Sequence, residues 1–176
     1  MYNEVVTRLF QSPYHQALPE EFDVMGQAGA PGEGPFLTMY LTVEDDIEPP
    51  PDALKALFFG LIRDWDADIV AGIVTDRFTA RVLAWTALPD VEMTQEEVAQ
   101  QAPPGQMLPV FGTGFGCTLF RRSFWESIAF RPSYTWSENY CAYDWAAAYE
   151  ARQRGRKWLL CGAVRCKHWQ ENGRHV

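Results

Sequence analysis

Apolar and polar residues alternate along the chain in blocks that predict alternating strands and helices. Residues 36–43, 67–74 and 80–87 are apolar runs with the length of buried strands. Three prolines at 49–51 predict the first turn of a helix that runs to about Arg63, because the N–H that proline lacks has no helical partner there. The apolar face of this helix repeats at helical spacing and comprises Leu54, Leu57, Phe58, Leu61 and Ile62.

The second half of the chain continues the pattern with clearer helix boundaries. Residues 94–97 fit a capping box for a short helix, within an insertion-like segment that extends to Pro109. Residues 123–126 fit a second capping box and predict a helix that ends near Phe130. The other predictions are a glycine-bearing stretch and strand at 110–120, a loop at 134–141, a helix at 144–154 closed by Gly155, and a final strand at 157–167.

The first 35 residues differ in character from the rest of the chain. Residues 3–12 predict a short helix, and residues 13–35 are rich in proline, glycine and acidic side chains, which predicts a long loop or an extended arm. We therefore divide the chain into an arm at 1–35 and one α/β domain at 36–176, with a mixed sheet flanked by helices.

Composition and charge narrow the function. With 176 residues, 47% of them apolar, the chain suffices for one packed domain. Its net charge of −8 argues against nucleic acid or an anionic membrane as the main partner, and an anionic ligand would need a metal ion or a few arginines. The sequence has neither an apolar run long enough to cross a bilayer nor a signal-peptide pattern at Met1, so we expect a cytoplasmic protein without a transmembrane segment.

The cysteines predict no disulfide framework. Cys117, Cys141, Cys161 and Cys166 include no CxxC pair, and we expect reduced thiols in the core of the domain. A zinc site formed by Cys161, Cys166 and His168 is an alternative, although the spacing is not the usual one.

Paired carboxylates follow the first predicted strand. Glu44 and Asp46 are two residues apart, so their side chains point the same way if the strand continues through them. Carboxylate oxygens of this kind suit Mg²⁺ or Mn²⁺, and ligands of α/β sheets gather beyond the carboxyl ends of strands. The alternative is a solvated acidic turn in which Asp46 and Glu48 favour the N-terminus of the next helix.

Five segments in the same order resemble the GT-A glycosyltransferases, the family-2-like enzymes that use nucleotide sugars. Residues 41–54 resemble the DxD strand and its following helix, with Glu44 in place of the first aspartate. The other four segments are 67–72, a strand; 114–128, the strand and helix after a glycine loop; 143–155, a helix that usually opens with Glu-Asp; and 158–168, a closing strand that ends in histidine. Nothing before Phe36 resembles the family's nucleotide-binding region, so the resemblance implies a truncated or minimal GT-A-like (Rossmann-like) domain.

The resemblance implies a metal-dependent glycosyltransferase that moves a sugar from a nucleotide-diphosphate donor to an acceptor hydroxyl. It implies Mn²⁺ or Mg²⁺ bound by Glu44, Asp46 and His168, and Asp144 as the catalytic base. The residues expected at the donor or acceptor are Asp45, Gly114, Phe115, Gly116 and Trp145.

Each of these roles has a structural alternative. Asp144 could cap its own helix, His168 could be a hydrogen-bonded residue at a strand end, and residues 112–116 could form a tight turn. Of Trp136, Trp145 and Trp169, at least two are expected in the core and not on a sugar face.

Two further functions stay open. The first is a non-catalytic GT-A-derived binding or structural module without a complete nucleotide pocket. The second, a metal-dependent phosphohydrolase, needs more acidic ligands than the sequence provides. The sequence does not specify the sugar, the nucleotide, the acceptor or the stereochemical course, and a second copy or a partner chain could supply missing elements.

Overall fold

The fold is built around a six-stranded mixed sheet. The computed structural model describes residues 25–28, 37–63, 67–86, 92–128, 143–170 and 173–175, so the predicted helix at 3–12 and the predicted loop at 134–141 lie outside the described residues. The strands are β1 (Met25–Ala28), β2 (Leu37–Val43), β3 (Ile47–Glu48), β4 (Ala67–Ile73), β5 (Val82–Trp85), β6 (Glu92–Met93), β7 (Met107–Val110), β8 (Gly112–Thr113), β9 (Cys117–Arg121), β10 (Lys157–Arg165) and β11 (Lys167–His168). The helices are α1 (Ala53–Arg63), α2 (Gln95–Gln101), α3 (Arg122–Trp125) and α4 (Tyr143–Gln153).

The directions of the strands determine which strand ends lie at the same edge of the sheet. The order is β1-β2-β9-β4-β10-β7, in which β4 and β10 are parallel and the other neighbouring pairs are antiparallel. Because β9 is antiparallel to both β2 and β4, strands β2, β4 and β10 all point the same way. Their carboxyl ends therefore share one edge of the sheet, together with the start of β9.

Two small sheets lie beside the large one. Strand β11 pairs with β3, which joins His168 to Ile47 across the ladder. Strands β6, β5 and β8 form a three-stranded antiparallel sheet.

The two faces of the large sheet bury different apolar clusters. Successive side chains of a strand point to opposite faces. Leu119 of β9 accordingly packs in the cluster that contains Leu57 and Leu61 of α1, whereas Phe120 packs with Ala147 of α4. Helices thus cover both faces, and the predicted mixed sheet flanked by helices is confirmed as a coarse α/β fold.

Most predicted elements are confirmed with small shifts of boundary. Strand β2 leads directly to Glu44, and α1 begins after the three prolines. Thr94 forms the predicted capping box with Glu97, and Gly155 adopts a positive φ of 63° where α4 ends. The predicted final strand breaks at Cys166, since β10 ends at Arg165 and β11 follows as a separate strand.

Three predictions were wrong. Strand β1 lies within the stretch predicted as loop or arm, where it pairs with β2. Strand β7 lies in the segment interpreted as an insertion. Among the described strands it pairs with β10 alone, and this edge position tolerates Pro109. Helix α3 begins at Arg122 after the N-cap residue Arg121, so Ser123 lies inside the helix and forms no capping box.

The described cysteines are buried and free, as the sequence predicted. Cys117, Cys161 and Cys166 carry no disulfide, while Cys141 lies outside the described residues. A hydrogen bond with Cys166, together with burial, raises the pKa of the Cys117 thiol. In the described part of the chain, no helix combines the length and the apolar character that crossing a membrane requires.

Candidate functional site

Charged residues from separate parts of the sequence meet where the strand ends meet. Glu44 and Asp46 follow β2, Arg77 follows β4, and His168 lies just after β10. Asp144, in the first turn of α4, completes the group. We call these five residues the acidic edge.

The turn that carries the acidic pair is held on both sides by backbone hydrogen bonds. The Glu44 N–H donates to the Gly116 carbonyl over 3.1 Å, and the Ile47 N–H donates to the Glu44 carbonyl over 3.1 Å. The Trp169 N–H donates to the Asp46 carbonyl over 2.8 Å. The backbone of the turn is therefore attached to the residues beside β9 and β11, whereas Glu44 and Asp45 are exposed, so the alternative of a solvated acidic turn stays open. Asp45 lies in this turn with its side chain exposed.

Two nitrogen atoms, one from His168 and one from Arg77, approach the same carboxylate oxygen of Asp46. His168 Nε2 lies 3.1 Å from Asp46 Oδ2, and Arg77 Nη1 lies 3.0 Å from the same atom. The Asp46 and Arg77 side chains are 29% and 35% exposed, so both remain within reach of a ligand in solution.

His168 is buried and has a defined orientation. Its Nδ1 lies 2.7 Å from the carbonyl oxygen of Thr75, so Nδ1 must carry a hydrogen and donate it. The other ring nitrogen, Nε2, therefore faces Asp46. Metal-binding histidines commonly donate one ring N–H to a carbonyl in this way while the other nitrogen binds the ion. The ring nitrogens thus face Thr75 and Asp46, and the described residues contain no group of three potential ligands, so the zinc alternative gains no support.

Glu44 is held in a strongly acidic environment. Glu44 as a whole residue is exposed, but its carboxyl group lies beside the backbone of Gly116. Desolvation there, followed by the charges of Asp46 and Asp144, raises the pKa of Glu44 to about 7, although His168 opposes the rise. Three carboxylates from two distant segments thus repel one another at this edge. A bound cation would relieve this repulsion.

The raised pKa predicts that the contribution of Glu44 to the free energy of unfolding falls as the pH rises from about 4.5 to about 7. The unfolded Glu44 carboxyl titrates near 4.5 and the folded one near 7, so the folded state binds more protons between these values and this group stabilises it less with rising pH. We expect Glu44→Gln to raise the melting temperature at pH 8 and to change it little at pH 4.5. Melting curves at both pH values measure the effect, with the exposed Glu96→Gln as the control. An equal shift at both pH values would contradict the prediction.

Asp144 faces the acidic edge from the first turn of α4. Its Oδ1 accepts a hydrogen bond from the Trp145 N–H over 2.8 Å, and burial raises the pKa of its carboxyl group. It lies one residue after Tyr143, where α4 begins, and its hydrogen bond satisfies an N–H of the first turn, so the alternative that Asp144 serves its own helix stays open. Its second oxygen would lie 3.7 Å from a Cβ built on Gly114.

A close helix contact places α4 at this position. A Cβ built on Gly112 would overlap the Cβ of Ala148, so only glycine allows β8 and α4 to approach this closely. The small side chains Ala147 and Ala148 are fully buried at the same interface. The glycine stretch therefore has a packing role that positions Asp144.

The remaining predicted binding residues have structural contacts of their own. A Cβ on Gly116 would lie 3.3 Å from Glu44 Oε2, so the glycine keeps space at the carboxylate. The Phe115 ring packs 5.3 Å from Phe120, and the Trp145 ring lies 4.4 Å from Trp85, as centroid distances. Both aromatic rings belong to the core cluster as partly buried members, and their roles at a ligand stay predictions.

Trp169 and Trp136 are the other two tryptophans considered as sugar-stacking residues. The indole N–H of Trp169 donates to Glu48 over 3.0 Å, and its ring lies near Lys167 and not in the buried core. Trp136 lies outside the described residues.

The predicted metal ligands Glu44, Asp46 and His168 are of the types that bind a divalent ion, but the three side chains do not converge on one point. An ion with bonds of about 2.1 Å at right angles separates neighbouring ligands by about 3.0 Å, and the Nε2–Oδ2 distance between His168 and Asp46 is 3.1 Å. Within the ranges that the structure describes, however, no three His, Cys, Asp or Glu side chains form a group that could hold a metal ion. The additional contact at Asp46 comes from Arg77.

Sequence reasoning missed Arg77 and the carbonyl group of Thr75. Both lie just beyond β4, whose carboxyl end shares the edge with β2. The rule that ligands gather beyond such strand ends applies equally to this connection, and applying it there would have drawn attention to Arg77.

Comparison with known proteins bears on the fold alone. Neither a family model nor a curated protein sequence matches this chain. Among solved structures, the chain is similar to A197 from STIV, with a TM-score of 0.53 and 13% identity. The similarity covers 78% of this chain and 64% of that one, so this chain spans less than two thirds of its length. The likeness supports the mixed α/β architecture.

Proposed function

We propose that this protein is a metal-dependent glycosyltransferase with a truncated or minimal GT-A-like domain. It would move a sugar from a nucleotide-diphosphate donor to an acceptor hydroxyl. The observation that carries the proposal is the meeting of Glu44, Asp46, Asp144 and His168 at one edge of the sheet. These four residues are the ones that the resemblance assigned to the metal and to the base.

Asp144 would act as the base. As the acceptor oxygen forms its bond to the anomeric carbon, the bond from that carbon to the diphosphate oxygen breaks, and the nucleoside diphosphate leaves with the electron pair. The acceptor proton passes to a carboxylate oxygen of Asp144. The Trp145 N–H holds Oδ1, which leaves Oδ2 for this proton. Burial raises the pKa of the carboxyl group, which makes its conjugate base stronger than an exposed aspartate.

The other residues of the acidic edge would bind and orient the donor. Glu44, Asp46 and His168 would hold Mn²⁺ or Mg²⁺, which supplies positive charge to the diphosphate as it leaves. Thr75 fixes the imidazole ring of His168 through Nδ1. Because the chain has an excess of negative charge, an anionic donor needs such a local cation.

The exposed groups around this edge would contact the sugars. Asp45 extends from the turn between β2 and β3 with its side chain exposed. Gly114 is buried, and a Cβ built on it would touch Leu83 and approach Asp144 Oδ2, so its backbone would contact a sugar only at the proposed base. Sugar hydroxyls can bind to a carboxylate and to the backbone at such positions. Trp145 is half-buried, and its ring packs against Trp85, so only part of the ring would be available to a sugar.

A thermal-shift panel tests the proposal. We expect Mn²⁺ together with the matching UDP-, GDP- or dTDP-sugar to raise the melting temperature, because a ligand at about 100 times its Kd stabilises the folded state by about 2.7 kcal/mol. Asp46→Asn should lose this shift, and Asp52→Asn, on an exposed residue before α1, should keep it. Absence of a shift with every nucleotide, with and without metal, would contradict the proposal.

One observation favours the alternative of a non-catalytic GT-A-derived module. Asp46 already has two partners, Arg77 and His168, and can remain neutralised without a metal ion. A module of this kind would show no stabilisation in the thermal-shift panel and no sugar transfer.

A further inference from the structure

Arg77 occupies a position at which a metal ion would otherwise neutralise Asp46. Its Nη1 contacts Asp46 Oδ2, the same oxygen that His168 approaches. A divalent cation bound between Asp46 and His168 would lie on this oxygen as well. A guanidinium group and a divalent cation at one carboxylate oxygen repel each other, so the two cannot both be bound tightly there.

The backbone at Arg77 is fixed, so the side chain alone would have to move. Asp76 Oδ1 accepts hydrogen bonds from the Phe78 N–H over 2.8 Å and from the Thr79 N–H over 2.6 Å. The Gln170 side chain donates to the Arg77 carbonyl over 3.1 Å. Hydrogen bonds therefore fix the backbone of the turn at 76–79, both at Asp76 and at Arg77.

The aromatic ring of Phe78 offers the Arg77 guanidinium a second contact near Asp46. Its Cζ lies 5.0 Å from the centroid of the Phe78 ring, which is 82% exposed. A cation over an aromatic face retains a favourable contact of this kind when it leaves a carboxylate. The released guanidinium thus stays next to the place where an anionic donor would bind.

We propose that Arg77 and a divalent cation compete for the Asp46 carboxylate, and that the displaced guanidinium binds the diphosphate group of the donor. This inference rests on the proposed function, because it needs the metal and the diphosphate. It assigns Arg77 two successive roles: the counterion of Asp46 before the metal binds, and a phosphate-binding residue afterwards. Arginine is suited to the second role because its planar group presents paired N–H donors to phosphate oxygens.

Binding measurements on the full chain at constant pH test the competition. Mn²⁺ binding is measured by the electron paramagnetic resonance signal of the free ion, with wild type, Arg77→Gln and Arg81→Gln. Each substitution removes one positive charge, and Arg81 lies four residues further along the same connection as Arg77, so Arg81→Gln controls for net charge. We expect Arg77→Gln to bind Mn²⁺ about two- to fivefold more tightly than wild type, the effect of removing a partly exposed ion pair, and Arg81→Gln to change the affinity less.

Calorimetric titration with inorganic pyrophosphate at saturating Mn²⁺ tests the second role. Wild type and Arg81→Gln should bind pyrophosphate with similar affinity, and Arg77→Gln should bind it about tenfold more weakly, because a charged hydrogen-bond donor to phosphate is lost. Equal affinities in all three proteins would overturn the phosphate-binding role.

The outcomes separate this inference from the proposed function. If wild type binds Mn²⁺ and Arg77→Gln binds it no more tightly, the competition is overturned while the metal-dependent enzyme stands. If Arg77→Gln binds Mn²⁺ and wild type does not, the competition is supported in its strongest form. If neither protein binds Mn²⁺, the metal part of the proposed function is overturned, and the competition with it.

Discussion

Replacing Asp144 with asparagine is expected to lower the rate of sugar transfer by about 10²–10⁴-fold, the usual contribution of a general base. The amide keeps the shape of the carboxylate and can still accept the hydrogen bond of the Trp145 N–H through its oxygen. It cannot take up the acceptor proton. Turnover is measured with the nucleotide sugar that gives the largest thermal shift, and Mn²⁺ affinity should change little because Asp144 is not among the proposed ligands.

Glu150→Gln is the matched control for this substitution. Glu150 lies on the same helix and forms an i,i+4 ion pair with Arg154, away from the acidic edge. Its loss should cost at most about 0.5 kcal/mol of stability and leave turnover unchanged. Full turnover by Asp144→Asn would show that another group accepts the proton.

Replacing Phe120 with alanine is expected to lower the free energy of unfolding by about 3–5 kcal/mol, the range for large aromatic residues removed from a core. Phe120 is fully buried in β9, one of the inner strands of the large sheet. Its ring lies 4.7 Å from Trp125 and 6.1 Å from Trp158, as centroid distances, so truncation leaves a cavity among rigid rings. Urea denaturation monitored by tryptophan fluorescence measures the change.

Phe59→Ala makes the same chemical change at an exposed position. Phe59 is 57% exposed on α1, and its truncation should change the free energy of unfolding by no more than about 0.5 kcal/mol. A loss below about 1 kcal/mol for Phe120→Ala would mean that the aromatic cluster is loosely packed and collapses into the space.

The elements that the sequence predicted well are those with strong local signals. Three prolines followed by apolar residues at helical spacing defined α1, and Thr94 with Glu97 defined the start of α2. Strand β2 was recognised as an apolar run because both of its faces are covered: Met39 packs in the cluster of α1 on one face, and Tyr40 packs near Trp125 on the other.

The elements that the sequence missed depend on distant partners. Strand β7 contains Pro109, which argues against a strand unless the strand lies at an edge, and its edge position follows only from its pairing with β10. Strand β1 has polar and glycine-rich neighbours, and it is a strand because β2 offers it a free side. Ser123 matched a capping box, but the helix already begins at Arg122, directly after β9 ends at Arg121.

The sequence named most residues of the acidic edge, but it did not predict which of them contact one another. The resemblance brought Glu44, Asp46, Asp144 and His168 together, and the structure does place them at one edge. The ion pair between Arg77 and Asp46 could not be read from spacing, because it joins the ends of β2 and β4, which are not neighbours in the sheet. Phe115 and Trp145 illustrate the opposite case, since aromatic residues near a site also serve the core.

The place of β10 in the sheet has a consequence for folding kinetics. It is the last long strand of the described chain, yet it lies between β4 and β7 and pairs Leu160 with both Ala71 and Leu108. The six-stranded sheet therefore cannot be completed until β10 has left the ribosome. Before then, the partner with which β7 pairs in this sheet is missing. Such long-range pairing is typical of slow folding. His168 lies in β11, just after β10, so we expect the contact between His168 and Asp46 to form in the last stage of folding.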